Sequence, residues 1–199
     1  MADFAIEAEL LGKNHRWVCG LDEVGRGCLF GPVVAGAVVL DPARLNYEYD
    51  DSKKLSPGRR LELAEDIYSR AVAYAIGWCW NDEIDRSDIL TATKRSMRRA
   101  VKNLQIRPDY LLIDAIAPDF LPFEGRAVAG GDGKCLSIAA ASIVAKVFRD
   151  QMMGQFARFF PAYDLAKNKG YPTQKHKNML LLKRETIFHR KSFKRNDGC

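Results

Sequence analysis

Residues 17–27, Trp-Val-Cys-Gly-Leu-Asp-Glu-Val-Gly-Arg-Gly, run an apolar strand into two adjacent carboxylates and then into a glycine-rich turn. Such a strand belongs in a sheet, so Asp22 and Glu23 fall at its end, where ligands of α/β sheets collect. Two neighbouring acids there are costly unless something positive is bound. Gly25 and Gly27 let the backbone approach a ligand closely, with Arg26 between them. A metal ion and a phosphate backbone together would satisfy both halves of the motif. The spacing G-x-G-x-x-x-G and the acids at its entrance do not suit a dinucleotide pyrophosphate, and no G-x-x-x-x-G-K-[ST] occurs. Taken alone, an Asp-Glu pair also fits a solvated turn.

The length of 199 residues suits one domain with a sizeable core. A net charge of +6 favours a polyanionic partner. The charge is uneven, because residues 167–199 hold ten Lys or Arg against only Glu185 and Asp197. Tyr171, His176, Phe188 and Phe193 interleave with these cations, which suits a segment that packs and touches a sugar-phosphate chain. Five cysteines without C-x-x-C spacing speak against a disulfide framework or a zinc site. The first residues lack a basic n-region, and the apolar stretch 28–40 is too short to span a bilayer. A soluble, cytoplasmic protein, acting as a monomer away from membranes, is expected.

Strands are expected over 17–22, 32–40, 71–80, 110–114 and 126–129. The third, with its small, β-branched and aromatic residues, suits a sheet packed on both sides. Helices are expected over 58–70, with Leu61, Leu63, Ala64 and Ile67 on one face; over 88–104, capped by Ser87 and facing inward through Ile89, Leu90, Thr93, Met97, Ala100 and Val101; and over 136–153. Hairpin strands followed by alternating helices and strands predict an α/β domain with a mixed sheet flanked by helices.

Three segments then bring acids to strand ends or loops: Asp22 with Glu23, Asp114, and Asp132 in Gly131-Asp132-Gly133. Four convergent carboxylates repel unless divalent cations neutralise them. An oxygen-only donor set suits Mg²⁺ or Mn²⁺, and two such ions about 3.5 to 4 Å apart form a clamp for phosphodiester hydrolysis.

The chain resembles the bacterial ribonuclease HII family at Gly20-Leu21-Asp22-Glu23-Val24-Gly25-Arg26-Gly27 with Gly31-Pro32-Val33-Val34, and at Asp51-Ser52-Lys53-Lys54-Leu55-Ser56. It continues through Leu112-Ile113-Asp114-Ala115, Gly131-Asp132, the run from Ser137 to Val147, Arg149-Asp150, and Asn168-Lys169-Gly170-Tyr171-Pro172-Thr173 with His176. The resemblance implies an RNase H-like fold with a mixed five-stranded sheet and a C-terminal helical extension. The division it implies is a catalytic domain over 1–160 and a basic extension over 161–199 that completes the substrate site. The implied activity is endonucleolytic cleavage of the RNA strand of RNA/DNA hybrids and nicking 5′ of single ribonucleotides in duplex DNA, leaving 3′-hydroxyl and 5′-phosphate ends. By position, Asp22, Glu23, Asp114 and Asp132 match the family's catalytic acids, which bind two Mg²⁺ or Mn²⁺ ions. Gly25, Arg26 and Gly27 match the turn that reads the ribose 2′-hydroxyl, and Tyr171 the aromatic that stacks beside the RNA-to-DNA junction. Lys53, Lys54 and Lys146 would supply phosphate contacts.

The chain departs from the family pattern at Gly130, where a lysine is usual, at Cys28, where proline is usual, and at Phe30, where a small residue is common. Ser142 is expected to pack rather than react, and His176 and His189 to be structural or surface residues. The aromatic in Lys191-Ser192-Phe193-Lys194 suggests a docking point for a partner such as a replication clamp. The competing readings are a DNA nuclease of related fold, blind to the 2′-hydroxyl, and a non-catalytic nucleic-acid-binding module.

Overall fold

The computed structural model describes residues 2–50, 52–183 and 185–193, the Lys183 side chain excepted. Asp51 of the expected Asp-Ser-Lys motif, and the tail from Lys194 onward, lie outside the described residues. Five strands, β1 (Val18–Val24), β2 (Val33–Val39), β3 (Ala73–Cys79), β4 (Tyr110–Asp114) and β5 (Glu124–Val128), form one sheet in the order β3-β2-β1-β4-β5. The first three pair antiparallel, while β1–β4 and β4–β5 are parallel. The helices are α1 (Ala5–Gly12), α2 (Pro57–Arg70), α3 (Asn81–Asp85), α4 (Ile89–Asn103), α5 (Leu136–Phe159), α6 (Leu165–Asn168) and α7 (Gln174–Lys183). The expected mixed α/β sheet is therefore present, α6 and α7 lie in the segment expected as a C-terminal helical extension, and α1 and α3 are additions that the sequence reading did not supply.

Both faces of the sheet are covered. On one, Leu136, Ala140, Ile143 and Val144 of α5 join Leu63 and Ile67 of α2 in a buried core. On the other, Met97, Ala100 and Val101 of α4 pack against Leu21, Ala37, Leu111 and Ile113. Two glycines set the closeness of α5: a Cβ at Gly20 would lie 2.2 Å from the Ser137 backbone, and one at Gly36 would lie 2.4 Å from the Ala141 carbonyl. The alanine-rich stretch of α5 thus lies directly on β1 and β2 because neither side of the contact carries bulk.

Three local expectations are corrected. The α4 cap is Asp88, whose carboxylate accepts the Thr91 N–H at 2.9 Å, because the Ser87 hydroxyl is already donated to the Glu83 carbonyl of α3. Leu61 and Leu90 are both exposed, at 43% each, since each lies off the buried stripe of its helix. The last long helix continues to Phe159, beyond the expected Met153. The third strand lies at the sheet edge but is covered on both faces as expected, by α4 on one and on the other by Tyr68 of α2 against the exposed Tyr74, ring centroids 4.5 Å apart, and by Phe148 of α5 against Trp78 at 5.6 Å. Among the described residues, no helix is long and apolar enough to cross a membrane.

Candidate active site

Strand register determines which acids meet. In the parallel pair β1–β4, Leu21 faces Ile113, so Asp22 and Asp114 occupy the next step at the C-terminal ends of neighbouring strands. Asp22 is 5% exposed, and its carboxyl accepts the Glu23 N–H at 2.7 Å and is bonded by the Ser142 hydroxyl. Burial is the main reason its pKa lies well above the usual carboxylate range, with the charges of Glu23 and Asp114 adding to the shift. Glu23 is also raised, chiefly by burial and in part by Asp114, against the opposing pull of Arg26. The Arg26 guanidinium reaches Glu23 Oε1 at 3.2 Å, which leaves Glu23 Oε2 buried without a hydrogen-bond partner. A buried carboxylate oxygen with no donor, beside two further acids, is a natural seat for a cation.

Asp114 accepts the Gly131 N–H at 2.8 Å, which ties the end of β4 to the 3-10 turn Gly131–Gly133 that carries Asp132. Asp132 faces Lys53, with Nζ to Oδ2 at 3.6 Å. Three acids therefore interact directly and the fourth stands at the rim across a lysine. Among the described residues, no three acidic, His or Cys side chains already form a closed metal cage. The oxygen donors on hand fit an ion that keeps part of its water shell, as Mg²⁺ does.

A cavity of about 510 Å³ opens over this group, lined by Asp22, Glu23, Ser52, Lys53, Arg60, Ser142, Lys146 and Tyr171 among others. Lys146 is ion-paired with Asp150 at 2.8 Å, and its Nζ sits 6.0 Å from the Tyr171 ring. Lys54 pairs with Asp50 at 3.4 Å and does not line the cavity. Gly25 is buried, whereas Arg26 and Gly27 are exposed beside the opening.

Sequence reasoning assigned no site role to Ser52, Arg60 or Arg149. The Ser52 and Ser142 hydroxyls meet at 2.9 Å beneath the cavity, so Ser142 packs as expected and also positions Asp22. Arg60 holds the loop carrying Lys53 by donating to the Ser52 and Leu55 carbonyls at 2.7 and 2.5 Å. Arg149 is fully buried and donates to the carbonyls of Phe30, Pro32 and Lys169. A Cβ at Gly25 would lie 2.3 Å from Arg149 Nε, so this arginine forms the floor of the glycine turn. The only advance signal for Arg149 was its place in the Arg149-Asp150 dipeptide.

His176 and His189 are both buried, with Nε2 to Nε2 at 3.1 Å, so their structural reading holds. Phe30 joins Phe156, Phe160 and Phe188 in an aromatic cluster, which accounts for a large residue there. Cys28 is buried, with Sγ 3.7 Å from the Lys169 carbonyl. Gly130 has φ +63°, a backbone conformation that glycine adopts at no cost. Phe193 packs against the body of the protein beneath the Arg190 guanidinium, 5.0 Å from its ring centroid.

The family model described as Ribonuclease HII matches residues 19–196. Ribonuclease HII of Pediococcus pentosaceus is 47% identical over 193 residues, which cover 96% of this chain and 75% of that protein. Among solved structures, the PCNA:RNase HII complex from Archaeoglobus fulgidus aligns at 25% identity with a TM-score of 0.77, covering 92% of this chain and 98% of that one. Bst-RNase HIII in complex with Mn²⁺ shares the fold at 19% identity and a TM-score of 0.66, over 89% of this chain and 67% of that one. Buried acids at paired strand ends, a glycine turn beside them and a match along nearly the whole sequence lead to one assignment: the chain belongs to the ribonuclease HII family and is a type 2 ribonuclease H.

Proposed function

We propose that the protein hydrolyses the RNA strand of RNA/DNA hybrids and nicks duplex DNA 5′ of single embedded ribonucleotides, leaving 3′-hydroxyl and 5′-phosphate ends. The observation that carries this reading is the buried Asp22–Glu23 pair with its unpartnered Glu23 oxygen, set beside a glycine turn and beneath a cavity edged by lysines. Asp22, Glu23, Asp114 and Asp132 would hold two divalent ions, Mg²⁺ or Mn²⁺, which when bound supply Lewis-acid activation of water and charge neutralisation at the phosphate.

The chain's own residues do the rest. Lys53 and Lys146 present their ammonium groups at the cavity wall, where they attract phosphate oxygens without reading bases. Lys54, outside the wall, would meet phosphates further along the duplex. The exposed Arg26 and Gly27 backbone lies where a ribose would rest, and the 2′-hydroxyl is what distinguishes RNA from DNA. Tyr171, 37% exposed over the same cavity, offers a face for stacking and a hydroxyl for the sugar. Ser142 and the Glu23 N–H orient Asp22, and the Gly131 N–H orients Asp114. Residues 161–199 form the extension that completes this site, since Tyr171 belongs to it. A clamp contact of the kind named for the Archaeoglobus complex would use the C-terminal tail, whose aromatic, Phe193, is partly buried against its own chain.

The decisive experiment uses a DNA duplex with one ribonucleotide, an all-DNA control, wild type and Asp114→Asn, each in Mg²⁺ or Mn²⁺. A single nick 5′ of the ribonucleotide by wild type only is expected. Equal cutting of the all-DNA duplex would replace this reading with the related DNA nuclease. Tight binding without any cutting would leave a binding module.

A further inference from the structure

Arg190 belongs to the basic C-terminal run yet is 2% exposed, and among the described residues no carboxylate lies within ion-pair reach of it. Its three kinds of N–H are donated to backbone carbonyls far away in sequence: Nε to Gly31 at 3.0 Å, one terminal nitrogen to Arg26 at 2.8 Å and the other to Gly25 at 2.7 Å. Burial draws its pKa down to about 10, so it keeps its charge at neutral pH. The Asp85 carboxylate acts on this charge only from beyond ion-pair distance, so holding it buried is costly, and what the cost secures is one rigid fork clamped on one turn.

The clamp has a geometric consequence for the opposite side of the turn. Among the described residues all peptides are trans, so each carbonyl points away from the N–H of the residue that follows it. Drawing the Gly25 and Arg26 carbonyls inward onto Arg190 turns the Arg26 and Gly27 N–H groups outward. Neither N–H has an acceptor among the described residues, and both residues are exposed beside the cavity. Two adjacent, outward, unpaired donors are suited to a single oxygen.

We infer that Arg190 is a positioning residue that presents the Arg26 and Gly27 amides as a fixed pair of donors to the ribose oxygen at the cleavage position. The inference rests on the ribonucleotide-nicking function proposed above. The surroundings hold Arg190 in place. Its own N–H bonds the Leu29 carbonyl at 2.8 Å, the Gly31 N–H bonds the Phe188 carbonyl at 2.9 Å, and His189 bridges to Phe30. Beyond it, Asp85 accepts the Lys191 and Ser192 N–H groups at 3.0 and 2.9 Å. The segment 188–192 is thus fastened on both sides of the arginine.

The test compares wild type with Arg190→Lys, which keeps the charge but not the three-way fork. Two readouts are needed. Hydrogen exchange of the 24–32 segment, measured without substrate, is expected to speed up in Arg190→Lys. On the single-ribonucleotide duplex, kcat is expected to fall on the order of 10- to 100-fold, the worth of hydrogen bonds aligned at a reacting centre. KM is expected to stay within about threefold, because the phosphate contacts are untouched. Addition of guanidinium to Arg190→Gly is expected to restore part of kcat, and ammonium is not. Unchanged exchange or unchanged kcat in Arg190→Lys would overturn the inference, even if its melting temperature dropped. Should Arg190→Lys fail to fold, Asp85→Asn loosens the same segment from outside the fork and is expected to move both readouts in the same direction, by less; no movement of either would overturn the inference. If wild type leaves the duplex uncut, the proposed function fails, and the exchange comparison still decides the role of Arg190.

Discussion

Gly25 and Gly27 lie two residues apart in one turn, yet their side-chain hydrogens face different surroundings. Gly25 has φ +91° and would place a Cβ 2.3 Å from Arg149 Nε. Gly27 has nothing within 4 Å of its Cβ position and a backbone that any residue can adopt. Gly25→Ala is therefore expected to destabilise the fold by roughly 1–3 kcal/mol, the usual cost of a strained non-glycine residue. Gly27→Ala is expected to leave stability within about 0.5 kcal/mol, as for an open surface position, while lowering cleavage because the added methyl stands where a ribose would rest. Thermal melts of the two variants beside their nicking rates check both halves. At Asp22 the trade runs in the opposite direction. The buried carboxyl is held beside Glu23 and Asp114, so Asp22→Asn removes like-charge repulsion. This variant is expected to melt higher than wild type in divalent-free buffer, by about 1 kcal/mol or more of stability. It is also expected to lose nicking by at least on the order of 100-fold. A variant that melts no higher would mean that the carboxyl costs the fold nothing.

Helix α5 shows how much of the architecture could be read in advance and where reading stopped. The helix itself and the packing of Ser142 were expected, whereas its closeness to the sheet comes from Gly20 and Gly36 beneath Ser137 and Ala141. Strands β1 to β4 were legible because each carries an apolar run bounded by turn residues, whereas β5, Glu124–Val128, holds Glu124 and Arg126 and begins two residues before the expected Arg126; the strand-end acids were legible because carboxylates there are conspicuous against their neighbours. The α4 cap was misread because Ser87 and Asp88 are both good capping residues, and only the preceding α3 decides between them. Short helices such as α3 and α6 carry too few residues to show a period and are fixed by tertiary contacts. The tight seat of α5 has a direct test. Gly20→Ala would push a methyl into the Ser137 backbone, forcing the helix off the sheet at a cost of roughly 1–3 kcal/mol. Since α5 also carries Ser142, Lys146 and Arg149, a displaced helix is expected to lower cleavage beyond what the stability loss alone explains. Activity per folded molecule, with the folded fraction taken from circular dichroism, separates the two effects.

Over the whole molecule, the C-terminal residues are the part least legible in sequence. In a basic run, a buried arginine looks the same as a solvated one, and a histidine pair separated by thirteen positions has no local signature. What joins them is a chain of hydrogen bonds with a defined direction. The Thr186 N–H can only donate, so His189 Nδ1, 2.9 Å away, is the acceptor and its proton resides on Nε2. That proton is donated to His176 Nε2, which leaves His176 Nδ1 to donate to the Tyr171 carbonyl at 3.0 Å. Both rings are thus neutral, and the relay links the segment around Arg190 to the loop bearing Tyr171. Their neighbours are the rings of Phe30 and Tyr163, each with its centroid 4.9 Å from that of His189, which give no compensation for charge. Burial lowers His189 from 6.5 to about 4, with His176 adding to the shift. The unfolded chain accordingly takes up a proton as pH falls below 6.5 while the folded protein does not. Stability from this residue is complete above that value and is lost as pH falls from 6.5 to about 4, where the folded form also protonates. Melting temperature in divalent-free buffer is expected to fall more steeply over this window for wild type than for His189→Gln, whose amide can accept from Thr186 and donate to His176 without titrating. Parallel curves for the two proteins would show that the pair carries no proton-linked stability, and a neutral relay from the C-terminal segment to Tyr171 would have to be abandoned.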